Sequence, residues 1–161
     1  MKKLLTIYSK GEHYSADLID NEDGSGQFLA DADIDIDGSP DWQRDPYGQA
    51  DTTLHHNGKP IDSESVPFFV LPPEVIKAFK GVILGCHGTI HYEGKSIDAV
   101  CADVGPHSKL GEISPEAARR LGINDDPNIG GEDEQRVLYR FWPGKPAIVD
   151  GIAYQLQPFT K

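Results

Sequence analysis

FLADADIDIDG, residues 28–38, places an aspartate at every second position: Asp31, Asp33, Asp35 and Asp37. Two local structures fit such a row, and they lead to different folds. Asp33-x-Asp35-x-Asp37-Gly38 copies the opening of an EF-hand calcium loop, with ligands at positions 1, 3 and 5 and glycine at 6. The copy fails at position 12 of that loop, where Arg44 stands instead of a bidentate glutamate. Residues 28–36 also alternate as a strand does, where the calcium motif needs an entering helix. As a strand, the row puts its aspartates on one face and Ala30, Ala32, Ile34 and Ile36 on the other, which packs inward. Same-face carboxylates lie roughly 6.5 Å apart along a strand. That is close enough to repel one another and raise each other's pKa where water is scarce. The acidic face is therefore expected to be wet, or to meet a cation such as a metal or the ammonium groups of an amino-sugar polymer. A solvated face that only aids solubility is the plain alternative.

The flanking sequence supports the strand reading. VILGCHGTI and KSIDAVCADV enclose His91-Tyr92-Glu93-Gly94, a β-hairpin with Glu93-Gly94 as its two-residue turn. That turn sets Cys86 opposite Cys101, within reach of a disulfide. In cytosol the pair is expected as thiols, and after export a cystine is geometrically allowed. Ser114-Pro115-Glu116-Ala117-Ala118-Arg119-Arg120-Leu121-Gly122 predicts a short helix: N-cap serine, first-turn proline and acid, last-turn arginines, closing glycine. Leu71 to Gly81, entered through Pro72-Pro73, predicts a second. Thr6 to Tyr8, Val66 to Val70, Val137 to Trp142 and Ala147 to Gln157 have strand-like composition. No repeat and no linker divides the chain, so residues 1–161 are read as one domain, mainly β, a barrel with one or two short helices.

With 161 residues, 17 glycines and 12 prolines the chain is long enough for a core and rich in turns. Its net charge of −11 repels nucleic acid and anionic lipid and favours a polycation. From Asp17 to Asp51 the only base is Arg44. Leu4 to Tyr8 is too short an apolar run for a signal-peptide core of roughly 7 to 15 residues, and no stretch approaches a membrane span. The expectation is cytoplasmic synthesis, export by a route that reads no N-terminal signal, or a signal already removed. No phosphate loop, zinc spacing or serine elbow is present. His87 and His91 share a strand face but lie about 13 Å apart, too far to bind one metal. Trp42, Tyr47, Tyr139 and Trp142 are candidates for stacking on sugars, although aromatics in a barrel are more often core.

The ordered segments FLADADIDIDG, DPYGQADTTL, GKPIDSESVPFFVLPPEV, GTIHYEGKSIDAVCADVGPHSKLGEISPEAARRLGINDDPNIGG and VLYRFWPG resemble glycoside hydrolase family 75, the fungal-type chitosanases. The similarity runs from about Phe28 to Trp142. Asp103 to Ile123 also resembles the core of double-psi β-barrels, and both resemblances imply a six-stranded barrel. The family resemblance implies an inverting, metal-independent endo-hydrolase of chitosan β-1,4 linkages that needs no cofactor. Its catalytic carboxyls fall on Asp103 and Glu112, with Glu112 read as general acid and Asp103 as general base. Asp33, Asp35 and Asp37, with Thr52 and His107, are the expected substrate contacts, Asp35 and Asp37 foremost. A secreted or delivered monomer acting on a polysaccharide, with no nucleic-acid or membrane partner, follows. The alternatives are a peptidoglycan glycan-strand hydrolase or lytic transglycosylase, delivered as an antibacterial effector, and a non-catalytic carbohydrate-binding barrel. Without catalysis, Asp103 would stabilise its Gly-Pro turn and Glu112 would only favour the helix dipole.

Overall fold

The computed structural model describes residues 1–159. In chain order the elements are β1 (Lys2–Tyr8), β2 (Ser15–Asp20), β3 (Gly26–Ile34), β4 (His55–His56), β5 (Lys59–Pro60), β6 (Phe68–Leu71) and α1 (Pro73–Ala78). There follow β7 (Cys86–Tyr92), β8 (Lys95–Val104), β9 (Glu112–Ile113), α2 (Pro115–Leu121), β10 (Glu132–Pro146), β11 (Ile148–Val149) and β12 (Ile152–Ala153). A short 3-10 turn covers Trp42–Arg44. No helix among the described residues is long and apolar enough to cross a membrane.

The fold is mainly β, and its centre is a closed six-stranded barrel in the order β3-β10-β7-β8-β6-β9, with β9 returning to β3. Two of the six pairings are parallel, β3 with β9 and β6 with β8, and the others are antiparallel. Closure leaves no free edge on the barrel. The β1–β2 hairpin extends the sheet beyond β3. The six-stranded barrel with two short helices agrees with the expectation from sequence.

Local chemistry explains the elements that were legible. The β7–β8 turn is formed by Glu93 and Gly94, both at positive φ as a type I′ hairpin requires, and its register pairs Tyr92 with Lys95. Continued along the strands, that register sets Cys86 against Cys101. Both are buried free thiols, so no disulfide joins them. Burial pushes the Cys86 thiol up to about 12, which makes it a core residue rather than a nucleophile. In α2 the Ser114 side chain accepts from Ala117 N at 3.2 Å, and Gly122 closes the helix in the left-handed region.

The core is aromatic and β-branched: Phe28, Phe68, Phe69, Ile90, Val100, Ile113, Val137, Tyr139 and Phe141 are all buried. Phe28 stacks on Tyr139 with centroids 5.0 Å apart, and Phe79 meets Phe141 edge-on at 5.3 Å. Tyr139 is thus core, its hydroxyl donating to Asp31 O at 2.7 Å. Trp142 is half-buried against His87, while Tyr47 is 89% exposed.

Candidate active site

The opening row of aspartates is where the structure departs most from expectation. Strand β3 ends at Ile34, although Asp33 N and Asp35 N still bond Gly111 O and Ile113 O in the manner of a parallel ladder. The apolar side packs inward as expected. The acidic side is not a continuous wet face, because Asp31 is fully buried and Asp35 is only 9% exposed. Other segments cover it and divide it into two carboxylate clusters.

The first cluster joins Asp31 and Asp33 to Glu12 and Lys109. Lys109 Nζ pairs with Glu12 Oε1 at 3.0 Å and with Asp33, while Tyr14 donates its hydroxyl to Asp31 Oδ1 at 2.7 Å. Burial, reinforced by Asp33 and Glu12, pushes the Asp31 carboxyl up to about 8. Asp33, expected to touch substrate, is instead held by this ammonium and does not line the cleft.

The second cluster lies at the end of the barrel, in a cleft of about 450 Å³. Its acids are Asp35, Asp37, Asp45, Asp51, Asp103 and Glu112, and among the described residues none of its lining is basic. Two strand pairings place the principal carboxyls. Val70 on β6 is in register with Asp103 on β8 on one side and with Glu112 on β9 on the other. Asp103 and Glu112 thus stand one strand to either side of β6, at the same level of the barrel.

The two groups sit in unlike environments. Burial pushes Glu112 up to about 7; Lys109 opposes the shift, while Asp33, Asp103 and Asp37 add to it. Its Oε2 is buried without a hydrogen-bond partner. The carboxyl passes over Gly105, where an added Cβ would stand 2.6 Å from Oε2. Asp103, 6% exposed, receives three donors on Oδ1: Thr53 Oγ1 at 2.7 Å, Thr53 N at 3.1 Å and its neighbour Val104 N at 3.1 Å. An oxygen so occupied cannot also carry a proton, which leaves Oδ2 as the oxygen able to accept one.

Asp35 and Asp37 crowd the same side. Burial and then the charges of Asp103 and Asp37 hold Asp35 well above the usual carboxylate range. Burial and then the neighbouring Asp103 carboxyl push Asp37 up to about 7. Asp35 Oδ1 accepts from Asp37 N, and Asp37 Oδ1 accepts from Gln49 N, both at 2.8 Å, which folds residues 35–49 back over the cleft. One oxygen from each of Asp35, Asp37 and Asp103 lies within 4.8 Å of the others, close enough to share a single cation. The other such group, Glu12, Asp31 and Asp33, already holds Lys109.

Asp35, Asp37, Asp103 and Glu112 are therefore brought together as expected. Two further expected contacts are not available. His107 is outside the cleft lining, its side chain 70% exposed and 3.5 Å from Glu74. Thr52 reaches the lining but is 3% exposed, and its hydroxyl donates to Leu54 O at 2.8 Å and accepts from Ile61 N at 2.9 Å. It locks the loop. Thr53, Asp45, Asp51 and Gln49 were missed, because their place in the cleft comes from a loop returning across the barrel end. Tyr47, beside them in the lining, is the one aromatic candidate exposed at the cleft.

Compared with protein-family models and with curated proteins, the chain matches none.

Proposed function

We propose that this chain is a glycoside hydrolase that cleaves β-1,4 linkages of chitosan or a closely related amino-sugar polymer, with Glu112 as general acid and Asp103 as general base. One observation carries the reading: two carboxyls, one with a buried unpartnered oxygen and one with an oxygen filled by three donors, face one acid-lined cleft from either side of β6. Glycoside hydrolysis needs one carboxyl that keeps its proton near neutral pH and one that accepts a proton from water. Glu112, pushed up to about 7 with an unpartnered oxygen, suits the first task. Asp103, with Oδ1 filled by donors and Oδ2 left as its proton-accepting oxygen, suits the second. Inversion is what the resemblance to family 75 chitosanases implies, with the two carboxyls roughly 6.5 to 9.5 Å apart and water between them.

The substrate class rests on charge. Six carboxyls and no base in the lining favour a cationic polymer over a carboxylate-rich one such as intact peptidoglycan. Asp35 and Asp37 are poised to receive ammonium groups, since an arriving cation favours their ionised forms. No step in this reading calls for a cofactor or a metal. The resemblance to family 75 chitosanases and to double-psi barrels supports the same conclusion.

The test is release of reducing ends from chitosan and from purified peptidoglycan by wild type, Asp103→Asn and Glu112→Gln. Cleavage of chitosan by wild type is expected, with each variant slower by about 10²- to 10⁴-fold. Activity on peptidoglycan alone would favour the cell-wall reading, and full activity in both variants would remove the proposed pair.

A further inference from the structure

We propose that Thr53 is the positioning residue that selects Asp103, from three crowded aspartates, as the carboxylate that takes the proton from water; this rests on the hydrolase reading above. Thr53 lies fifty residues before Asp103, on the segment that crosses the barrel end. It presents both its N–H and its hydroxyl to the same oxygen, Oδ1 of Asp103. The direction of the hydroxyl proton is determined. Thr53 Oγ1 accepts from Val104 N at 3.2 Å, so its own proton is free to point to the carboxylate 2.7 Å away.

Thr53 is itself held firmly. Its carbonyl accepts from Gln157 Nε2 at 2.7 Å, and the next residue, Leu54, bonds through N to Ala102 O at 2.9 Å. Thr52 fastens the same segment through Leu54 O and Ile61 N. A donor carried on a clamped segment orients the group it faces, as outer-shell partners do in catalytic sites.

One oxygen from each of Asp35, Asp37 and Asp103 lies within 4.8 Å of the others, so three carboxyls crowd one spot. The backbone amides that reach Asp35 and Asp37 come from within their own turn or from Gln49. Of the three, Asp103 alone receives a side-chain hydroxyl among the described residues, which fixes the carboxylate plane. Removing the hydroxyl would free the carboxylate to rotate among its neighbours Asp35 and Asp37.

The experiment is steady-state hydrolysis of chitosan oligomers by wild type, Thr53→Val, Thr53→Ala and Thr53→Ser, each checked by a thermal melt. In the valine and alanine variants kcat is expected to fall about 10- to 100-fold, as for loss of a hydrogen bond to a charged group. KM should stay within about twofold, and Thr53→Ser should recover most of kcat, because only the hydroxyl is asked to act. Unchanged kcat in a folded Thr53→Val or Thr53→Ala protein would overturn the role. So would a serine variant as impaired as valine, which would make the side chain's shape the cause. A wild type that leaves chitosan intact defeats the hydrolase reading itself and removes this role with it. Cleavage by wild type together with fully active Thr53 variants defeats this inference alone.

Discussion

Gly105 shows how a single missing methyl group serves the site. Glu112 needs to lean over the chain just after Asp103, and any Cβ at position 105 would meet Oε2 at 2.6 Å and Val70 Cγ1 at 3.2 Å. Val70 is packed core and cannot yield, so the carboxyl would have to move. Gly105→Ala is therefore expected to lower kcat on chitosan by about 10- to 100-fold, the penalty for misplacing a reacting group by about 1 Å. The thermal midpoint should change little, because the carboxyl it displaces makes no hydrogen bond through Oε2. Steady-state kinetics with a parallel melt check this, and an unchanged kcat would mean that Glu112 does its work elsewhere or not at all.

Among the elements, α2 is short but central to closing the barrel. Ser114 caps it and also donates to Val66 O at 2.8 Å and accepts from Phe68 N at 2.9 Å, so one buried hydroxyl ties the helix start to β6. Ser114→Ala is expected to cost about 1 to 2 kcal/mol and to lower the thermal midpoint by roughly 3 to 8 °C in a domain of this size. A melt within 1 °C of wild type would show that the cap does not bind these elements together. Elements of this kind were legible because their signals are local: serine, proline and glycine at α2, and a Glu-Gly turn in the β7–β8 hairpin. Strand β10 was only partly legible. Composition points to Val137 to Trp142, but the strand runs from Glu132 to Pro146 because β3 and β7 pair with it on both sides. Strand β9 has two residues, too few for any periodicity, yet it closes the barrel and carries Glu112. The strand-like run from Ala147 to Gln157 breaks into two short strands about a turn at Asp150-Gly151, both at positive φ. Thr53 was illegible for a related reason: its partner is fifty residues away.

For the molecule as a whole, the net charge of −11 understates how unevenly the charge is spread. The arginines of α2 are matched by Glu64, Glu116, Asp125 and Asp150, whereas the cleft has no such compensation. Burial first, and neighbouring carboxylates second, hold several acids above their ordinary values. Their ionised forms are disfavoured by the fold, so their contribution to stability is complete below the unfolded pKa of about 4. It is lost as pH rises toward about 7 for Asp37 and Glu112 and about 8 for Asp31. The thermal midpoint is expected to fall steadily between pH 5 and pH 8.5. Asp31→Asn, whose Oδ1 can still accept from Tyr14, should flatten that slope and raise the midpoint at pH 8 by roughly 3 °C or more. A slope unaltered by the substitution would place the cause in other groups. On the proposed reading the acid-lined cleft receives an ammonium-bearing polymer and water attacks directly. The most direct measurement is the proton NMR spectrum of the products in the first minutes of chitosan-oligomer hydrolysis. The α anomer should appear first, as inversion across separated carboxyls requires. Initial release of the β anomer, or no cleavage, would contradict it.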